Sequence, residues 1–91
     1  MAQVRVVRKG VTAAEVATVL SRRLGGFEIA ADGPGEVMVR RSVASAAVVR
    51  INDVPGATVF RVRGTGMPIL SLGTVRVVAD ALRRSPEFRS V

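Results

Sequence analysis

Residues 57–66 read ATVFRVRGTG. Phe60 and Val62 alternate with Arg61 and Arg63, and Gly64-Thr65-Gly66 then breaks the pattern. A period of two is the repeat of a β-strand, whose successive side chains point to opposite faces. Apolar groups on one side and arginines on the other describe a sheet buried on one face only. The preceding Val54-Pro55-Gly56-Ala57 is a turn: Pro presets the first central φ, and Gly accepts the positive φ that a type II turn needs at the second. On its far side Ala47, Val49 and Ile51 alternate with Val48, Arg50 and Asn52. The two runs therefore form an antiparallel hairpin.

The same alternation recurs towards the N-terminus. Val37 and Val39 alternate with Glu36, Met38 and Arg40. Phe27, Ile29 and Ala31 alternate with Glu28 and Ala30, and Asp32-Gly33-Pro34-Gly35 is the turn between these runs. Residues 42–45 are small and polar enough to turn. Val4 and Val6 alternate with Gln3, Arg5 and Val7, which places a first strand within residues 3–9, before Gly10.

Two segments carry helical spacing instead. Thr12-Ala13-Ala14-Glu15 fits a capping box, in which Glu15 reaches back to the cap. Ala13, Val16, Ala17, Leu20 and Leu24 then share one face. Arg22 and Arg23 suit a last turn, and Gly25-Gly26 a left-handed stop, so the spacing predicts a helix over 13–24. Leu72, Val75, Val78, Ala79 and Leu82 mark the inward face of a second helix over 74–84. Residues 64–73 then read as an irregular connection. Ser85-Pro86 ends that helix, and Phe88 is placed to return to the core.

The expected fold is α+β, one domain over residues 1–91, in the order β-α-β-β-β-β-α. It has a four- to five-stranded, mainly antiparallel sheet with two helices on one face. The chain is 48% hydrophobic, with three Phe and neither Tyr nor Trp, so its core must be aliphatic. With 91 residues it can build one such core.

Fourteen basic residues oppose seven acidic ones, for a net charge of +7. Such a field attracts polyanions. Every basic residue but Lys9 is Arg. Translation from a GC-rich genome also favours Arg over Lys, but it does not explain the shortage of acids.

Catalytic chemistry has little to draw on. The chain has no Cys and no His, which removes disulfides, thiolate sites, the commonest general base and the commonest metal ligand. Asp32 and Asp53 sit beside turns, and Glu15 belongs to its cap. Asp80 lies between Arg76 and Arg84 at helix-pair spacing. The expectation is no enzyme, no cofactor and no metal. Gly64-Thr65-Gly66 lacks the third Gly of a dinucleotide loop and the Lys-Ser/Thr of a P-loop, so it reads as a left-handed or tight turn. No apolar run reaches transmembrane length, and the basic start is a poor signal peptide. A cytoplasmic protein is expected, or a virion-associated one if the chain is phage-derived.

Placing the apolar phase of each strand against the helices sends Arg5, Arg40, Arg50, Arg61 and Arg63 to the opposite face, among Met38, Val48 and Val59. Glu28 and Glu36 are the acids available there to pair with them. Arg76, Arg83 and Arg84 make a second basic patch on the second helix. Met67, Ile69, Leu70 and Leu72 form an apolar stretch that either caps the core or contacts protein. The leading expectation is a non-enzymatic module that binds a polyanion, above all nucleic acid, through the arginine face. The alternative is a structural or interaction subunit of a homo-oligomer or phage-like assembly, using the sheet face or edge and residues 67–72.

From Thr12 onward the order α-β-β-β-α resembles that of double-stranded-RNA-binding domains. Their lysine pair at the start of the last helix is absent, and Thr74-Val75-Arg76 stands in its place. Only the order of elements is shared.

Overall fold

The structure, a computed structural model, describes residues 2–88. The chain runs β1 (Ala2–Val6), α1 (Ala13–Arg23), β2 (Glu28–Ala31), β3 (Glu36–Arg40), β4 (Ala46–Val54), β5 (Ala57–Gly64) and α2 (Pro68–Arg84), and a 3-10 turn (Pro86–Phe88) follows. The five strands form one antiparallel sheet in the order β1-β5-β4-β3-β2. β2 to β5 are a meander of hairpins, as the short turns imply. β1 lies beside β5 at the opposite edge from β2, so α1 carries the chain across the sheet. Four strands separate the helices, one more than in the α-β-β-β-α order, and the resemblance to double-stranded-RNA-binding domains stops there.

The register follows the alternation. Val4 pairs with Phe60, Ile51 with Phe60, Val49 with Val62, and Val37 with Val49. These side chains meet Val16, Val19 and Leu20 of α1 and Val75, Val78 and Leu82 of α2 in one cluster. Val19 is buried and Leu24 only half-buried, so the inward face of α1 is rotated slightly from the expected one. Phe88 returns to the core and meets Phe60 edge-to-face, with centroids 5.2 Å apart and planes at 72°. Such a pair contributes about 0.5–1.5 kcal/mol beyond its buried area.

Thr12 caps α1 by accepting from the Glu15 amide at 3.1 Å. Glu15 does not reach back as the capping box expects. Its carboxylate instead takes both guanidinium nitrogens of Arg8, one of them at 3.0 Å. Arg8 also donates to the Glu87 carbonyl at 3.1 Å, and the Glu87 carboxylate lies 3.2 Å from Arg22 and 3.9 Å from Arg23. This cluster ties the segment after β1, α1 and the 3-10 turn together.

The largest departure from the sequence pattern is at the start of α2, which begins at Pro68 rather than near Thr74. Pro suits the first helical position because no partner for an amide is needed there. The inward residues of this extra length are Ser71 and Thr74, both buried, and Leu72 points out. The reason is the neighbour. This end of α2 packs on the main chain of the turn at 41–45, which offers polar groups rather than an apolar surface. Ser45 donates to the Leu70 carbonyl at 2.9 Å and lies 2.6 Å from the Thr74 hydroxyl. The Met67 amide donates to the Ala44 carbonyl at 2.8 Å.

Among the described residues, positive φ occurs at Gly10, Gly26, Gly33 and Gly56 alone, so of the two expected forms of turn at Gly64-Thr65-Gly66, left-handed or tight, the left-handed one is not there. Gly56, at φ 77°, is the type II turn residue between β4 and β5. Gly66 is required by closeness instead. A Cβ there would collide with the Ala44 carbonyl oxygen and fall 2.7 Å from the Ser71 hydroxyl. Gly66→Ala should therefore cost about 1–3 kcal/mol. Gly25→Ala, where a Cβ meets nothing within 4 Å, should be neutral or stabilising. Urea unfolding of both variants checks this, with the midpoint falling only for the first.

Candidate nucleic-acid interface

The sheet face away from the helices takes the other phase of every strand. Arg5, Arg40, Arg50, Arg61 and Arg63 are all exposed on it, so the structure brings the five sequence-selected arginines together. The register sets their neighbours. Gln3, Arg61, Arg50 and Glu36 form one row across β1, β5, β4 and β3. Arg63, Val48, Met38 and Ala30 form the next. Arg5 lies opposite Val59, diagonal to Arg61.

The carboxylates divide this face in two. Arg40 holds Glu28 at 2.6 Å and Arg50 holds Glu36 at 3.2 Å, both across neighbouring strands. Exposed pairs of this kind contribute at most about 1 kcal/mol, yet they neutralise the β2–β3 side. Among the described residues Arg5, Arg61 and Arg63 have no ion pair. Positive charge is thus concentrated on β5 and β1. Arg61 stands directly opposite Arg50, so like charges face each other across the β4–β5 pair.

Glu36, Val48, Arg50, Arg61 and Arg63 line a dip of about 100 Å³, in which Val48 is the one apolar side chain. Pockets that enclose small molecules usually hold about 300–1,000 Å³, so this dip fits a protruding group of a larger partner. The aromatic side chains are elsewhere. Phe27, Phe60 and Phe88 all belong to the helix side or the core.

The second basic patch is less coherent. Arg83 pairs with Asp80 at 3.8 Å and donates to the Gln3 carbonyl at 3.4 Å, whereas Arg76 and Arg84 have no ion pair among the described residues. Asp80 was expected to serve Arg76 and Arg84; the i,i+3 neighbour takes it instead. Arg41 escaped the sequence reading. It lies over the Phe27 ring at 5.9 Å, a contact that strand alternation does not forecast because Arg41 follows the end of β3. Three further carboxylates do structural work: Asp53 accepts from the Thr58 hydroxyl at 3.0 Å, and Glu15 and Glu87 hold arginines.

Met67, Ile69, Leu70 and Leu72 are 60%, 83%, 54% and 59% exposed, so they do not cap the core. They form the cap and first turns of α2 rather than a loop. Among the described residues no helix is long and apolar enough to cross a membrane.

Comparison with protein-family models, curated proteins and solved structures gives no match for this chain.

The facing of Arg50 and Arg61 has a measurable consequence. Arg61→Glu replaces a repulsive cross-strand pair with an attractive one and should stabilise the fold by up to about 1 kcal/mol. The gain should shrink as salt rises. Urea unfolding at low and high salt measures both.

Proposed function

We propose that this chain is a non-enzymatic binding module that engages nucleic acid through Arg5, Arg61 and Arg63 on β1 and β5. The observation that carries the reading is the concentration, on one side of an open sheet face, of guanidinium groups without an ion pair among the described residues. Arg50 adds to the field, although Glu36 partly neutralises it. Side chains two apart on a strand are about 6.8 Å apart, so Arg61 and Arg63 present charge at a regular step along β5. Two forked donors at this spacing suit successive phosphates of a chain better than a single carboxylate ligand.

The chemistry also selects the form of the partner. A face without aromatic rings cannot stack unpaired bases, which favours contacts to the phosphate backbone of a duplex. Arg76 and Arg84, on the helix side, are placed too far round the molecule to share that contact and are not needed for it. Such a partner places the protein in the cytoplasm, or in the virion if it is phage-derived. The exposed apolar start of α2 supports an additional contact with protein.

Fluorescence anisotropy with random-sequence duplex DNA and RNA tests the reading. Three neutralised phosphates give a slope of log K against log salt of about −3. Arg61→Glu with Arg63→Glu should abolish binding while the fold persists, and Arg40→Gln should have a much smaller effect. A salt-independent affinity, or equal losses for both sets of variants, would refute the assignment.

A further inference from the structure

We propose that the outward face of α2 is the contact between two copies of this chain, packed helix against helix about a two-fold axis beside Gly73. At 100° per residue, Ile69, Gly73, Arg76 and Asp80 lie on the side of α2 opposite the sheet. Leu70 and Val77 flank them on one side and Leu72 on the other. Met67 precedes them, and Val43, 96% exposed, belongs to the adjoining turn at 41–45.

The size of this surface fits a second copy. Full burial of an aliphatic side chain corresponds to roughly 60–120 Å² at about 25 cal/mol per Å². Scaled by exposure, Val43, Met67, Ile69, Leu70, Leu72 and Val77 offer roughly 230–470 Å² of apolar area. A standard interface buries about 800 Å² per partner, and homodimer interfaces are about 65% apolar, so a dimer of that size needs about 500 Å², close to the upper end of this range.

Gly73 gives the geometry. It sits inside a 17-residue helix, without positive φ, and a Cβ there meets nothing within 4 Å. The fold therefore has no use for a glycine that weakens the helix by about 0.5–1 kcal/mol relative to alanine. A second helix crossing at this point does, since the distance between axes is set by the side chains at the contact. In an antiparallel crossing centred on Gly73, Ile69 meets Val77 of the second copy. Leu70 meets the stem of Arg76, whose guanidinium reaches past it to water. Each contact occurs twice, as a two-fold interface requires.

The surface is also preformed. Ser45 and Thr74 lock the turn at 41–45 to α2, so the apolar side chains from both elements are held in place before association. Because both helices lie on one face of the sheet, pairing through α2 leaves the two arginine-rich sheet faces pointing outward. If the nucleic-acid reading holds, one dimer bridges two duplex segments; the dimer itself does not depend on that reading.

Sedimentation velocity of the full chain without nucleic acid tests the proposal. The expected result is a monomer–dimer equilibrium that tightens severalfold with added salt, because each copy carries a net charge of +7. This dependence is opposite in sign to that of nucleic-acid binding. Ile69→Glu and Gly73→Gln should each yield monomers, and Gly73→Gln should unfold at no lower temperature than the parent. Both should keep the duplex contact of Arg61 and Arg63. A parent chain that stays monomeric at every concentration overturns the proposal, including the case in which an acidic amphipathic segment of another protein is the true occupant. A dimer that survives both substitutions overturns it too.

Discussion

Two short helices can cover only one face of a five-stranded sheet, and the rest of the structure follows from that limit. One side of every strand must pack against α1 and α2, so Val37, Val39, Val49 and Val62 are fully buried there. β-branched side chains pack well on a pleated surface. They let a chain with three phenylalanines build a continuous core. The other side must stay in water, and its composition is free to serve contact with a partner. Arginines take part of that side, and their outward direction is fixed by the same register that seals the core.

The features legible from the sequence were those with a local cause. Alternation set the phase of all five strands, Pro55-Gly56 set the last hairpin, and Thr12 set the start of α1. The misreadings share a non-local cause. The first turns of α2 looked like a connection because Ser71 and Thr74 face inward where a helical pattern calls for apolar groups. Their reason lies in a turn some 25 residues earlier, at Ser45. Gly66 looked like a conformational glycine, but a carbonyl from that same turn demands it. Glu15 looked like half of a cap, and Arg8 took it.

The arginine face shows a finer division of the same kind. Sequence phasing placed five guanidinium groups on one surface, but their availability depended on cross-strand register. Glu28 and Glu36 fall opposite Arg40 and Arg50, and no acid falls opposite Arg61 or Arg63. A two-residue shift in pairing would redistribute the charge without moving any side chain to the other face. The electrostatic character of the surface is thus a property of strand order and register as much as of composition.

The position of β1 also governs when the molecule can be completed during synthesis. The first strand has no neighbour until β5 exists, and Val4 and Phe60 are separated by most of the chain. Phe88, which closes over Phe60, is made later still. Until then the meander lacks one edge and part of its lid, and β1 must wait unpaired. Contacts of such long sequence separation slow folding, because the loop between them must close before they contribute. The fold is therefore stitched shut by β1 and Phe88, and β1 finds its place only after the whole meander has been made.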